Sequence, residues 1–142
     1  MPGSGKKFDV SLVTPDGPVY EGQAEMIIVP GQIGEIGVLA RHAPLIATLR
    51  AGRTRIHPGG NAEVLEFATG PGFFQVLHDR AIALVDDAVD AANIDDVRAR
   101  KQLEEAQAEL EAIDRGESTA DRWQAEQRIR HAENQLEVAG RS

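Results

Sequence analysis

Residues 81–99 read Ala81-Ile-Ala-Leu-Val-Asp-Asp-Ala-Val-Asp-Ala-Ala-Asn-Ile-Asp-Asp-Val-Arg-Ala99, and the periodicity of the chain changes inside them. Ala81–Val85 is the last of a series of short apolar runs separated by turns. Beyond Asn93 the apolar residues recur at helical spacing. Backbone chemistry changes at the same place. All seven prolines lie at or before Pro71, and only Gly116 and Gly140 of the 14 glycines follow Gly72. Turn formers therefore occupy the first part and helix formers the second, which predicts a boundary between Asp86 and Asn93.

Upstream of that boundary the pattern is one of strands. Phe8, Val10 and Leu12 alternate with Asp9, Ser11 and Val13, the period of a half-buried strand. Thr14-Pro-Asp-Gly-Pro18 is a turn, because proline presets φ and glycine accepts φ > 0. Val19-Tyr20, Ala24–Val29, Ile33–Leu39, Leu45–Leu49, Arg53–His57, Glu63–Thr69 and Phe73–His78 continue the series. Pro58-Gly-Gly60 and Gly70-Pro-Gly72 read as further turns. Strands spaced near ten residues with turns between them predict an antiparallel β-sandwich or barrel.

Downstream, Asn93 is expected to cap a helix, with Asp95 and Asp96 favourable at the positive end of its dipole. Leu103, Ala106, Leu110 and Ile113 form a narrow apolar seam. Gly116 suits the left-handed residue after a helix. Ser118 or Thr119 is expected to cap a second helix, whose seam is Ala125, Ile129, Ala132, Leu136 and Ala139. The fold class is thus α+β. Residues 1–6 are expected to be a flexible terminus, 7–88 a β-sandwich, and 89–142 an antiparallel two-helix hairpin. Large apolar side chains are few in the hairpin, each contributing at most about 1.5–3 kcal/mol on burial. It is expected to be marginal alone and able to separate.

Composition excludes several classes. The 142-residue chain has no cysteine and a formal charge of −8. A disulfide framework or a thiolate metal site is thereby ruled out. An acidic balance disfavours nucleic acid as partner, since phosphate contacts need a basic surface. No apolar run approaches a membrane span of roughly 18 residues, and the first residues resemble neither a signal nor a transit peptide. No Walker A loop, GxGxxG, HExxH or GxSxG occurs. His42, His57, His78 and His131 are scattered without metal-ligand spacing. Asp86-Asp87 reads as a solvated corner. Nothing nominates a catalytic centre, so the chain is read as a non-enzyme.

The stretch Gly31-Gln-Ile-Gly-Glu-Ile-Gly-Val-Leu-Ala-Arg-His-Ala-Pro-Leu45 sets three glycines among apolar residues. It reads either as a pair of kinked strands or as a presented loop with Glu35, Arg41 and His42 as contacts. Gly34–Val38 running into His42-Ala-Pro-Leu45 resembles the epsilon subunit of F-type ATP synthases. So do Phe8–Val13, Gly70–Val76 and Ile94-Asp-Asp-Val-Arg-Ala99. The resemblance extends from about Lys7 to Ala139.

That resemblance implies a non-catalytic subunit of the central rotor stalk. Its β domain is expected to bind the gamma subunit and the c-ring, with His42 on the gamma side and Glu35 on the c-ring side. The hairpin is expected to regulate ATP hydrolysis by extending to the alpha/beta catalytic hexamer. Basic residues Arg98, Arg100, Lys101, Arg122, Arg128 and Arg130 would either meet acidic partner surfaces or pair with glutamates at i,i+4 on a solvated face. The location implied is the cytoplasmic face of a bacterial membrane, peripheral and held only through the complex. Some members bind ATP through Ile-Asp-x-x-Arg-Ala, matched here by Ile94, Asp95, Arg98 and Ala99. The second-helix arginines of that site are replaced by His131 and Gln135. ATP is therefore expected as a regulatory ligand at most, with no cofactor required. The competing reading is an unrelated β-domain with a coiled-coil probe, acting as a polymerase or assembly factor. Its acidic tip is not matched by the mixed-sign Asp114–Ser118.

Overall fold

The computed structural model describes residues 6–140. Apart from Lys6, the expected flexible terminus lies outside them. The chain divides into two compact units, meeting in sequence at Asp90 and Ala91.

The first unit is built from strands β1 (Phe8–Thr14), β2 (Gly17–Ala24), β3 (Met26–Gly31), β4 (Gly34–Leu39), β5 (Leu45–Leu49), β6 (Gly52–His57), β7 (Leu65–Thr69), β8 (Gly72–Leu77), β9 (Arg80–Val85) and β10 (Ala88–Asp90). Hydrogen bonding orders them β10-β7-β6-β3-β5-β8-β9-β1-β2, with β4 on β3. β3 and β5 share the single residue pair Gly31↔Leu49. The sheet is therefore two layers joined at a corner, with Arg50 N–H donating to Pro30 O at 3.0 Å and Gln32 N–H to Thr48 O at 3.1 Å. Gly31 is required at the corner: a Cβ there would lie 2.7 Å from Gly34 O.

Alternation does what the sequence predicts in β1. Phe8, Val10 and Leu12 are buried, and they join Ile27, Val29, Val38, Leu49, Ile56, Phe74 and Val76 in one core. Thr54 and Thr69 are the buried polar side chains beside it; their hydroxyls are 2.9 Å apart, and with Thr69 Oγ1 donating to Gly52 O, Thr54 donates to Thr69.

Three features depart from expectation. β2 runs eight residues, taking Ala24 from the next predicted strand, because it pairs along all of β1. Its Pro18, Glu21 and Gly22 are tolerated on an edge strand. β1 and β9 pair in parallel, unlike the other ladders among the described residues. Strands from opposite ends of the domain sequence carry no hairpin constraint that would make them antiparallel. β10, opposite Phe67–Thr69, was invisible because three residues show no periodicity.

The second unit holds a short 3-10 turn (Ala91–Asn93), α1 (Asp96–Asp114) and α2 (Arg122–Gly140). Both caps differ from expectation. Asn93 lies in the 3-10 turn, and Asp95 caps α1, its carboxylate accepting the Arg98 N–H at 3.1 Å. Asp121, not Ser118 or Thr119, accepts the Trp123 N–H at 2.8 Å, while Ser118 Oγ accepts the Ala120 N–H within the loop. Aspartate placed two or three residues before free helical N–H groups outcompetes both. Gly116 behaves as expected, with φ 75°. Its N–H reaches Ile113 O and the Glu117 N–H reaches Ala112 O, a complete Schellman end.

The expected seam is met in its alanines Ala106, Ala125 and Ala132, with Ala99 and Val138 added from outside it. Fully buried positions are Ala99, Ala106, Ala125, Ala132 and Val138. Leu103, Leu110, Ile113, Ile129 and Leu136 are half-buried. Alanines seven residues apart on each helix let the backbones approach, and the larger side chains flank them. Arg122 pairs with Asp114 across the loop, and Ser118 Oγ donates to Glu109 at 3.0 Å.

Candidate functional site

The segment 31–45 folds as the β3–β4 hairpin followed by the loop into β5. Its tip, Gln32-Ile33, is a tight turn closed by Gly34 at φ 151°. Ile33 is wholly exposed there. Turn positions normally carry polar residues, so an isoleucine held in water is a cost the isolated unit does not recover.

Glu35 stands next to this tip, opposite Pro30. Both of its carboxylate oxygens accept from Arg55 Nη2, each at 3.1 Å. A second pair, Arg53–Glu66 at 3.2 Å, follows on the same face of β6. His57 continues that row. Its Nε2 is buried without a partner among the described residues. Burial pushes its pKa below the usual histidine value, the Arg55 charge adds to the depression, and Glu25 opposes it.

Arg41 and His42 occupy the β4–β5 loop. Arg41 has φ 65°, and its backbone N–H donates to Asp79 Oδ1 at 2.6 Å. His42 Nδ1 lies 2.7 Å from Ala43 O. A carbonyl only accepts, so Nδ1 carries the hydrogen and Nε2 is available to a partner. The local contact and the presented side chain thus coexist.

A third feature escaped the sequence reading. Cross-strand register aligns Thr48, Phe73 and Leu84 in one row and Ile46, Gln75 and Ile82 in the next. Ile46, Phe73 and Leu84 are 77%, 61% and 51% exposed. They make an apolar outer face on β5, β8 and β9. Part of the signal was present, because β8 carries apolar residues on both faces, Phe74 and Val76 inward and Phe73 and Leu77 outward, with Gln75 as the one polar residue.

In the hairpin unit, Ile94, Asp95, Arg98 and Ala99 fall together at the start of α1, but Ala99 is buried and Asp95 is engaged as the cap. Gln135 Nε2 donates to His131 Nε2 at 2.8 Å, one turn apart on α2. Among the described residues Arg98, Arg100, Lys101, Arg128 and Arg130 enter no ion pair, so the expected i,i+4 pairing with glutamate does not form for them. Arg122 pairs with Asp114 and Arg115 with Glu111 and Glu117. No group of three or more His, Cys, Asp or Glu among the described residues could hold a metal, and no described helix is long and apolar enough to cross a membrane.

The family model for the ATP synthase Delta/Epsilon chain beta-sandwich domain matches residues 7–91. The ATP synthase epsilon chain of Halalkalibacterium halodurans is 39% identical over 132 residues, covering 93% of this chain and 96% of that protein. The chain belongs to the ATP synthase epsilon chain family. The epsilon chain of Bacillus cytotoxicus is similar at 37% identity over 134 residues, covering 94% of this chain and 97% of that one. In solved structures, a chain of the Euglena gracilis mitochondrial ATP synthase OSCP/F1/c-ring assembly superposes with a TM-score of 0.74 at 25% identity, covering 96% of this chain and 85% of that chain. A chain of the Tetrahymena thermophila mitochondrial ATP synthase central stalk and c-ring shares the fold, with a TM-score of 0.52 at 18% identity over 63% of this chain and 70% of that one. An epsilon chain is a stalk subunit of the ATP synthase and not the catalytic one, and the unrelated polymerase-factor reading is set aside.

Proposed function

We propose that this epsilon chain couples the gamma subunit to the c-ring through its β unit, and that its hairpin restrains ATP hydrolysis by reaching the alpha/beta hexamer. The observation that carries the coupling half is Ile33, wholly exposed at the β3–β4 tip beside Glu35. An apolar tip with a carboxylate next to it suits a docked loop of the c-ring. The apolar rows of β5, β8 and β9, at the other layer of the sheet, suit a helical face of gamma, with Arg41 and His42 at the margin. The protein then sits peripherally at the cytoplasmic face of a bacterial membrane, held by the complex alone.

The regulatory half is supported by the hairpin's small seam, which buries four alanines and one valine. Such an element needs only a few kcal/mol to change state. Arg128 and Arg130, outside any ion pair among the described residues, and Arg122 once released from Asp114, would meet acidic partner surfaces. For nucleotide, the chemistry at the start of α1 and on α2 argues against binding. The Asp95 carboxylate is engaged by the Arg98 N–H, and His131 and Gln135 are bonded to each other where arginines would supply charge-assisted phosphate contacts. Titration calorimetry with millimolar MgATP is expected to give no heat; a saturable heat would establish ATP as a regulatory ligand.

The absence of cysteine makes the coupling half directly testable. Ile33→Cys and Glu35→Cys are each expected to cross-link to a c subunit, and His42→Cys to gamma, in the assembled enzyme. Assembly with cross-links to neither subunit would refute the proposed contacts.

A further inference from the structure

Two exposed segments at one end of the β unit have backbones that ordinary side chains resist. Arg41, in the β4–β5 loop, has φ 65°. His78 and Asp79, the two residues joining β8 to β9, have φ 50° and 55°. Two-residue hairpin turns with positive φ at both positions favour Asn-Gly or Asp-Gly, and here neither residue is glycine. Non-glycine residues persist in this region only where surrounding contacts over-determine them.

Asp79 supplies such contacts to two other segments at once. Its carboxylate accepts the Arg41 N–H at 2.6 Å, a short charge-assisted bond. Its carbonyl accepts the Asp9 N–H at 3.0 Å, fixing the turn to the start of β1. Asp9 in turn stands opposite Arg80 in the parallel ladder, so the turn is anchored on its other side. The loop carrying Arg41 is tied by this bond to a turn 38 residues later, and His42 and Pro44 follow directly. His42 closes onto Ala43 O, so its own direction is inherited from the backbone that Arg41 sets.

We propose that Asp79 is a positioning residue for the partner-contacting loop: by holding the Arg41 amide it fixes the left-handed turn that presents Arg41 and His42. The inference rests on the reading of that loop as a gamma contact. Asp79 has no contact with the partner in this account and acts through the loop.

Three variants of the full chain separate positioning from strain. Asp79→Gly accommodates φ 55° without side-chain strain but has no acceptor. Asp79→Asn keeps an acceptor oxygen and tolerates the left-handed region. Asp79→Ala loses both. The readouts are backbone NMR shifts and couplings of Arg41 and His42 in the free protein, and affinity for purified gamma. Asp79→Gly is expected to retain its melting temperature within a few degrees, to shift the Arg41 and His42 resonances, and to weaken gamma binding about tenfold, the scale of one charge-assisted hydrogen bond. Asp79→Asn is expected to restore both signals to near the parent, and Asp79→Ala to lose binding and stability together. Unchanged Arg41 and His42 resonances in Asp79→Gly would overturn the positioning role. Shifted resonances with unchanged affinity would instead overturn the assignment of this loop to gamma.

Discussion

His57 gives the β unit a pH response that follows from its surroundings. Burial and the Arg55 charge lower its pKa below the ordinary value of about 6.5. The unfolded chain therefore binds a proton at a pH where the folded chain does not. Stability associated with His57 is present above the unfolded value and is lost as pH falls through the window below it. Denaturant melts of the parent between pH 7 and pH 5 are expected to show falling stability, and His57→Gln is expected to flatten part of that slope. An equal slope in both would remove His57 from the account. At the start of α1, Asp95→Ala is expected to destabilise the hairpin by about 1 kcal/mol through loss of the cap, and Asp95→Asn by much less. Helicity of the two variants by circular dichroism checks this. The sequence placed Asp95 in the right turn of the chain but gave capping to Asn93, since a 3-10 turn ahead of the helix leaves no periodic trace. His42 and Glu35 were legible as polar residues in a glycine-kinked stretch. Their partners Ala43 O and Arg55 were not equally so: the first is local, while the second lies 20 residues away and reaches Glu35 only through the β3–β6 pairing.

The hairpin is the element in which sequence and structure differ most instructively. Helical period identified both helices, Gly116 ended the first, and the expected seam already held the buried Ala106, Ala125 and Ala132; its leucines and isoleucines flank that row, which Ala99 and Val138 join from outside it. Spacing alone cannot tell a wide seam of large residues from a close approach over small ones, because both repeat every seven residues. The close approach makes a sharp prediction. Ala106→Leu forces the helices apart and is expected to cost about 1–3 kcal/mol in the hairpin, with no effect on the β unit. Hydrogen exchange resolves the two, since amides of α1 and α2 would lose protection while β1, β8 and β9 keep theirs. In the parent, α1 and α2 are expected to exchange faster than the core strands. Equal protection would contradict a hairpin light enough to switch. The β3–β4 hairpin carries the opposite lesson. Its glycines were conspicuous in the sequence, and the corner at Gly31 and the turn at Gly34 account for two of them.

For the whole molecule, the uneven use of proline and glycine marks where a strand-built unit gives way to a helical one, and the division falls between Asp90 and Ala91. What the pattern left unread is long-range: the parallel β1–β9 ladder, the single-pair corner between β3 and β5, and the alignment of Ile46, Phe73 and Leu84 across three strands. Each depends on pairing between segments far apart in the chain, which no local window contains. The outward apolar rows are also what separates a self-contained sandwich from one that works inside an assembly. The central claim of the proposed function is that this β unit docks on the gamma subunit. The most direct test is to mix the purified 142-residue chain with the gamma subunit and analyse the mixture by size-exclusion chromatography with light scattering. The account predicts a one-to-one complex that Phe73→Glu abolishes while leaving the chain folded. Separate elution of the two proteins, under conditions where another epsilon chain binds its gamma subunit, would contradict it.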